Sequence, residues 1–140
     1  KTPTPEQIIK DAVAKAASAA EDKDVKGVMR FVSNAFKNDE GLDYSAIKAI
    51  LLSEFFRGEK TRVFVVSLNV EVKGDTAVAE VRVGIVRGKD VRELRDVVPT
   101  DASAKRFSIV FKKEEDGNGG KIPYKAVSAV WESISLAGLL

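Results

Sequence analysis

Residues Val63 to Arg87 form two runs of alternating apolar and polar side chains hinged on Lys73-Gly74-Asp75. Successive strand residues point to opposite faces, so this alternation predicts a long, half-buried β-hairpin with a tight glycine turn. In the first run Phe64, Val66, Leu68, Val70 and Val72 share the dry face, opposite Val63, Val65, Ser67, Asn69 and Glu71. In the second, Ala77, Ala79, Val81, Val83 and Ile85 are dry, opposite Val78, Glu80, Arg82, Gly84 and Val86. A sheet with one dry face needs a covering layer, and the N-terminal third supplies it.

Thr4-Pro5-Glu6-Gln7 carries the signals of a helix start: a capping hydroxyl, proline at the first helical position and Gln7 to complete a capping box. Ile8, Ile9, Ala12, Val13, Ala16, Ala17 and Ala20 then recur at helical spacing, and the alanines predict close packing. Asp24 is placed to cap a second helix, with Val25, Val28, Met29, Val32 and Phe36 on one face. Asp43 caps a third, carrying Ile47, Ile50, Leu51, Phe55 and Phe56 as far as Arg57-Gly58.

After the hairpin, Phe107, Ile109 and Phe111 alternate with Arg106, Ser108 and Lys112 in a third strand, and Asp116-Gly117-Asn118-Gly119-Gly120 makes a second hairpin turn. The last strand spans Ile122 to Glu132, with Val127, Ala129 and Trp131 as its core side. Residues 88–104 hold too few apolar side chains for a core element and read as a long connection, and residues 1–3 as a short tether before a single domain over 1–140. The element order is therefore αααββββ, an α+β arrangement of three helices packed on a mainly antiparallel sheet of about four strands.

Composition narrows the chemistry. The chain has neither histidine nor cysteine, which removes the commonest metal ligand, the commonest neutral-pH base, thiol nucleophiles and disulfides. The 23 basic and 21 acidic residues are interspersed, so nothing calls for nucleic acid or an anionic membrane, and no apolar run is long enough to cross a bilayer. Gly117-Asn118-Gly119-Gly120-Lys121 is no phosphate loop, since Ile122 follows the lysine, and the segment from Asp116 lacks the closing glutamate of a calcium loop, having Val127 there. No catalytic residue, metal site or cofactor is predicted.

The segment Ala20-Glu21-Asp22-Lys23-Asp24-Val25-Lys26-Gly27-Val28-Met29, the hairpin Val70 to Ala77 and the closing strand ending in Trp131 resemble the nuclear transport factor 2-like superfamily. Asn34 to Asp43, followed by Ile47, Leu51 and Phe55-Phe56, is similar to small bacterial members of unassigned function. The resemblance covers nearly the whole chain. It implies a cystatin-like cone, a curved sheet wrapped around helices, and slightly favours an exported or lipid-anchored envelope protein over a cytoplasmic one. It implies no activity, because one fold hosts many.

Enzymes of that superfamily place acidic, tyrosine or histidine groups on the concave face. Here strict alternation lines it with Phe64, Val66, Leu68, Val81, Phe107 and their apolar neighbours, which argues for a non-enzymatic module binding a small apolar ligand or a protein partner. Tyr44, Arg57, Asp96 and Tyr124 are the polar groups expected near the cone mouth, with Trp131 among the aromatic residues that would face a ligand if the interior is not filled. A lyase or isomerase using Tyr44 or Asp96 with Arg57 is the alternative. The opposite sheet face, with Val63, Val65, Val78, Val86 and Val110, is apolar enough to predict a homodimer.

Overall fold

A computed structural model describes residues 3–55, 60–87, 102–114 and 123–135. Three helices, α1 (Pro5–Glu21), α2 (Val25–Met29) and α3 (Tyr44–Phe55), precede four strands, β1 (Thr61–Lys73), β2 (Thr76–Arg87), β3 (Ala102–Lys113) and β4 (Tyr124–Ile134). The strands pair antiparallel in the order β1-β2-β3-β4. The fold is the α+β cone that the sequence predicts.

Local chemistry explains the helix starts. Thr4 Oγ1 accepts from the Gln7 backbone N–H at 3.2 Å while Gln7 Oε1 accepts from the Thr4 N–H at 3.0 Å, a complete capping box. Asp24 and Asp43 accept from the N–H groups of Gly27 and Ala46 at 3.0 and 2.9 Å. The hairpin turns at Gly74, whose φ of +59° is the only positive one in the turn, as a type II′ connection requires.

The second helix is much shorter than its sequence period predicts. After Met29 the backbone leaves the helix: the Ala126 N–H donates to Phe31 O at 2.8 Å, the Ser33 N–H to Ala126 O at 2.9 Å and the Lys37 N–H to Val127 O at 3.1 Å. Those groups belong to the free edge of β4, and an unpaired sheet edge outcompetes one more helical turn. Phe31 and Phe36 are still buried, but from an irregular segment. Asn38 locks that segment down: buried at 7% exposure, it donates to Ala129 O at 3.1 Å and accepts from the Glu40 and Leu42 N–H groups at 3.0 Å each. At the other edge, Glu21 Oε2 accepts from the Val63 N–H at 2.7 Å and meets Arg62 Nε at 3.2 Å.

Two bulges overturn the strict alternation. The β1–β2 register shifts between Val65 and Ser67, so Val66 is the extra residue. Val63 and Val65 then pair with Ile85 and Val83 on the inner face, while Phe64 pairs with Gly84 on the outer one. The predicted sides of the first half of β1 are thus exchanged, because one extra residue inverts a period of two. The β3–β4 register shifts between Val110 and Phe111, which makes Val127 the extra residue and hands the inner side to Ala126 and Tyr124. β3 also starts at Ala102, within the predicted connection, because the small residues 102–104 pair with Val86, Ile85 and Gly84. The remaining residues of that connection and the turn at 116–120 lie outside the described residues.

The well-packed core sits toward the hairpin-turn end of the sheet. Ile9, Val70, Ala77, Ala79, Phe111 and Tyr124 are all buried there, with exposures of 0 to 9%.

Candidate functional site

Toward the other end, where β1 and β3 begin and β2 and β4 finish, helices and sheet part around a cavity of about 580 Å³. Its helical wall is the alanine face of α1: Ala12, Ala16, Ala17 and Ala20. As expected, the alanine face brings α1 close to β1, and Ala12 is buried; Ala16, Ala17 and Ala20 remain partly accessible where their short side chains border the cavity. The sheet contributes Val63, Val83, Phe107, Ala129 and Trp131. Phe107 and Trp131 are cross-strand partners with ring centroids 6.2 Å apart, a rigid aromatic floor.

α3 forms the third wall through Ile47, Ile50 and Leu51, yet none of its residues is buried and Ile50 is 40% exposed. An apolar helix face thus stays accessible to water beside an apolar sheet face. Val65, turned inward by the bulge, is still 37% exposed on the opposite wall.

Polar lining groups gather at the strand-terminal end: Glu54, Thr61, Arg87, Ser103 and Lys105. Arg87 Nη2 donates to Glu54 Oε2 at 2.9 Å, tying β2 to α3 across the opening. Lys105 Nζ makes a longer contact, 3.4 Å, with Ser133 Oγ of β4. Arg87 and Lys105 were missed in the sequence, although the alternation that places Ile85 and Phe107 inward puts both on the same face two residues further along.

The residues singled out from sequence separate. Trp131 lines the cavity. Tyr124 does not approach the mouth: it pairs with Lys113 at the opposite end and is 4% exposed in the core. Tyr44 opens α3, half-buried and outside the described cavity lining. Arg57 and Asp96 lie outside the described residues. Among the described residues no cluster of three or more acidic, histidine or cysteine side chains offers a metal site, and no helix is long and apolar enough to cross a membrane.

The outer sheet face is more polar than predicted, since Val63 and Val65 turn inward and Val86 is 1% exposed. Ser67, Arg82, Arg106 and Glu132 stand in one row across all four strands, with an Arg106–Glu132 ion pair and Glu80 accepting from Ser108 Oγ at 2.9 Å beside it. Val78 and Val130 are the large apolar side chains left exposed on it, at 37% and 44%.

No family model matches the chain, and no curated protein matches it in sequence. Solved structures do. An NTF2-like protein from Cytophaga hutchinsonii superposes with a TM-score of 0.66 at 17% identity, over 94% of this chain and 100% of its own. The chain has the NTF2-like fold. A Streptomyces avermitilis protein of the NTF2-like family, proposed to be a dehydratase, gives 0.70 at 14% identity, over 94% of this chain and 99% of its own. Bd1075 from Bdellovibrio bacteriovorus gives 0.67 at 13% identity, over 91% of this chain, but the NTF2-like chain described here spans only 41% of Bd1075.

Proposed function

We propose that this NTF2-like chain is a non-enzymatic binding module whose cavity takes a small apolar ligand. The observation that carries the proposal is the cavity itself: about 580 Å³, within the range of small-molecule sites, with walls almost wholly apolar and polar groups confined to one end. A lyase or isomerase has less support. Glu54 is the sole carboxylate among the described lining residues, and it is held by Arg87.

Trp131 is the only tryptophan of the chain and lines the cavity, so its emission reports occupancy. Titration with N-phenyl-1-naphthylamine, an uncharged probe that brightens in apolar surroundings, is expected to saturate and to quench Trp131. Ala16→Phe puts a ring into the same space and should abolish both signals while far-ultraviolet circular dichroism stays unchanged. Equal probe binding by the two proteins overturns the proposal.

A second observation favours self-association through the outer sheet face. Arg82 stands directly beside Arg106 across the strands, and since Arg106 is paired with Glu132 of its own chain, Arg82 is the exposed cation there that a carboxylate from a second copy, such as Glu80, would pair with. Light scattering at micromolar concentration should give a dimer mass that Arg82→Glu reduces to a monomer. A monomer mass for the unmodified protein counts against it.

A further inference from the structure

The polar end of the cavity has an uneven charge count. Three ionisable side chains are found among its described lining residues, Glu54, Arg87 and Lys105. Glu54 and Arg87 neutralise each other in an ion pair at 2.9 Å. Lys105 has only the long contact with Ser133, and it has no carboxylate partner among the described residues.

Its position is unusual for an unpaired ammonium. Lys105 occupies an inner-face register site on β3 directly opposite Val83, two residues before the Phe107 ring that floors the cavity. A lysine at that position lays its methylene chain along apolar surface and keeps its charged head at the opening. Two hydroxyl residues flank it, Ser133 across the β3–β4 pair and Ser103 two positions back on the same face. A solvated surface lysine needs no such setting. An ammonium with adjacent hydroxyl donors at the lip of an apolar cavity fits the head of a ligand whose body fills that cavity.

We infer that the ligand is an amphipathic monoanion, an apolar body seated against Phe107 and Trp131 with a terminal carboxylate held by Lys105. The inference rests on the cavity being a ligand site and adds the class of compound it selects. The carboxylate accepts hydrogen bonds from the Lys105 ammonium and from Ser133 Oγ, which is free to turn its hydroxyl hydrogen outward. Among the described lining residues the Glu54–Arg87 pair leaves Lys105 as the excess charge, which favours an anion over a neutral compound of the same length.

Displacement of N-phenyl-1-naphthylamine by decanoate and by 1-decanol separates this claim from the one beneath it. Decanoate should displace the probe from the unmodified protein, and its competition should weaken about tenfold in Lys105→Met, as expected for loss of one charge-assisted contact. Decanol should compete equally against both proteins. Raised salt should weaken decanoate and leave decanol unchanged. If Lys105→Met alters neither competitor, the head-group assignment is overturned while the apolar cavity stands. If the probe itself does not bind, both fall together.

Discussion

The two ends of this cone are built from the same strands and the same first helix, yet one is solid and the other hollow. At the hairpin-turn end, Ile9 of α1 shares one packed cluster with Val70, Ala79 and Tyr124, all at most 9% exposed. Two to three helical turns further along the same helix, Ala16, Ala17 and Ala20 are only partly covered and line the cavity together with Val65, Phe107 and Trp131. The difference lies in side-chain size on α1 and in the stance of α3, which closes over the sheet without burying any residue. Stability and binding are therefore assigned to different ends. Apolar atoms that touch each other stabilise the fold, whereas apolar atoms that face a void leave their contact energy for a ligand.

This division is sharpest where a large side chain is removed from the solid end. Ile9→Ala should cost about 2–5 kcal/mol in urea denaturation, since it deletes a branched side chain at 0% exposure amid a close-packed cluster. The same truncation of a lining residue such as Ile50, already 40% exposed, should cost well under about 2 kcal/mol. Equal losses at the two positions would break the distinction.

Next in size is the Asn38 anchor. Its side chain makes three hydrogen bonds that fasten the α2–α3 connection to β4. Asn38→Ala leaves those backbone groups without partners and should destabilise by about 1–3 kcal/mol. Because that connection fixes where α3 starts, the variant should also weaken probe binding in the cavity. A stability loss with unchanged binding would show that α3 is positioned by other contacts.

Legibility in the sequence follows the same division. The helix starts at Thr4, Asp24 and Asp43, the hairpin at Gly74 and the four-strand order were readable because each depends on chemistry within a few residues. The end of α2 was not, because the competitor for its backbone was the edge of β4, nearly a hundred residues away. The bulge at Val66 was equally hidden: Val63 to Val66 are apolar on both faces, so the local pattern carries no register information. That one shift decides which valines line the cavity and removes two of the five that argued for an apolar outer face. The hollow depends on distances between α1, α3 and the sheet, which a run of alanines does not specify. Lys105 and Arg87, by contrast, were readable by extending the β2 and β3 alternation to the strand ends.

A smaller effect is expected where the hollow end is filled. Ala20→Leu adds apolar volume to open space without displacing a packed neighbour, so stability should change by no more than about 1 kcal/mol, in the stabilising direction. Probe affinity should fall sharply. The same exchange at Ala79, which is 0% exposed at the solid end, should instead destabilise by about 1–3 kcal/mol through overpacking.

The smallest effect on stability belongs to the ion pair across the opening. Glu54 and Arg87 are 44% and 31% exposed, so their pairing contributes at most about 1 kcal/mol, and less as salt is raised. Glu54→Gln should scarcely move the urea midpoint. Its influence on binding runs the other way, because removing the carboxylate frees the Arg87 guanidinium and adds a second cation to an opening that already holds Lys105. Decanoate should bind more tightly to Glu54→Gln than to the unmodified protein, and decanol should not. A variant that gains affinity for both would show that Glu54→Gln acts by loosening α3 rather than through charge, and the two ends would then differ in mobility as well as in packing.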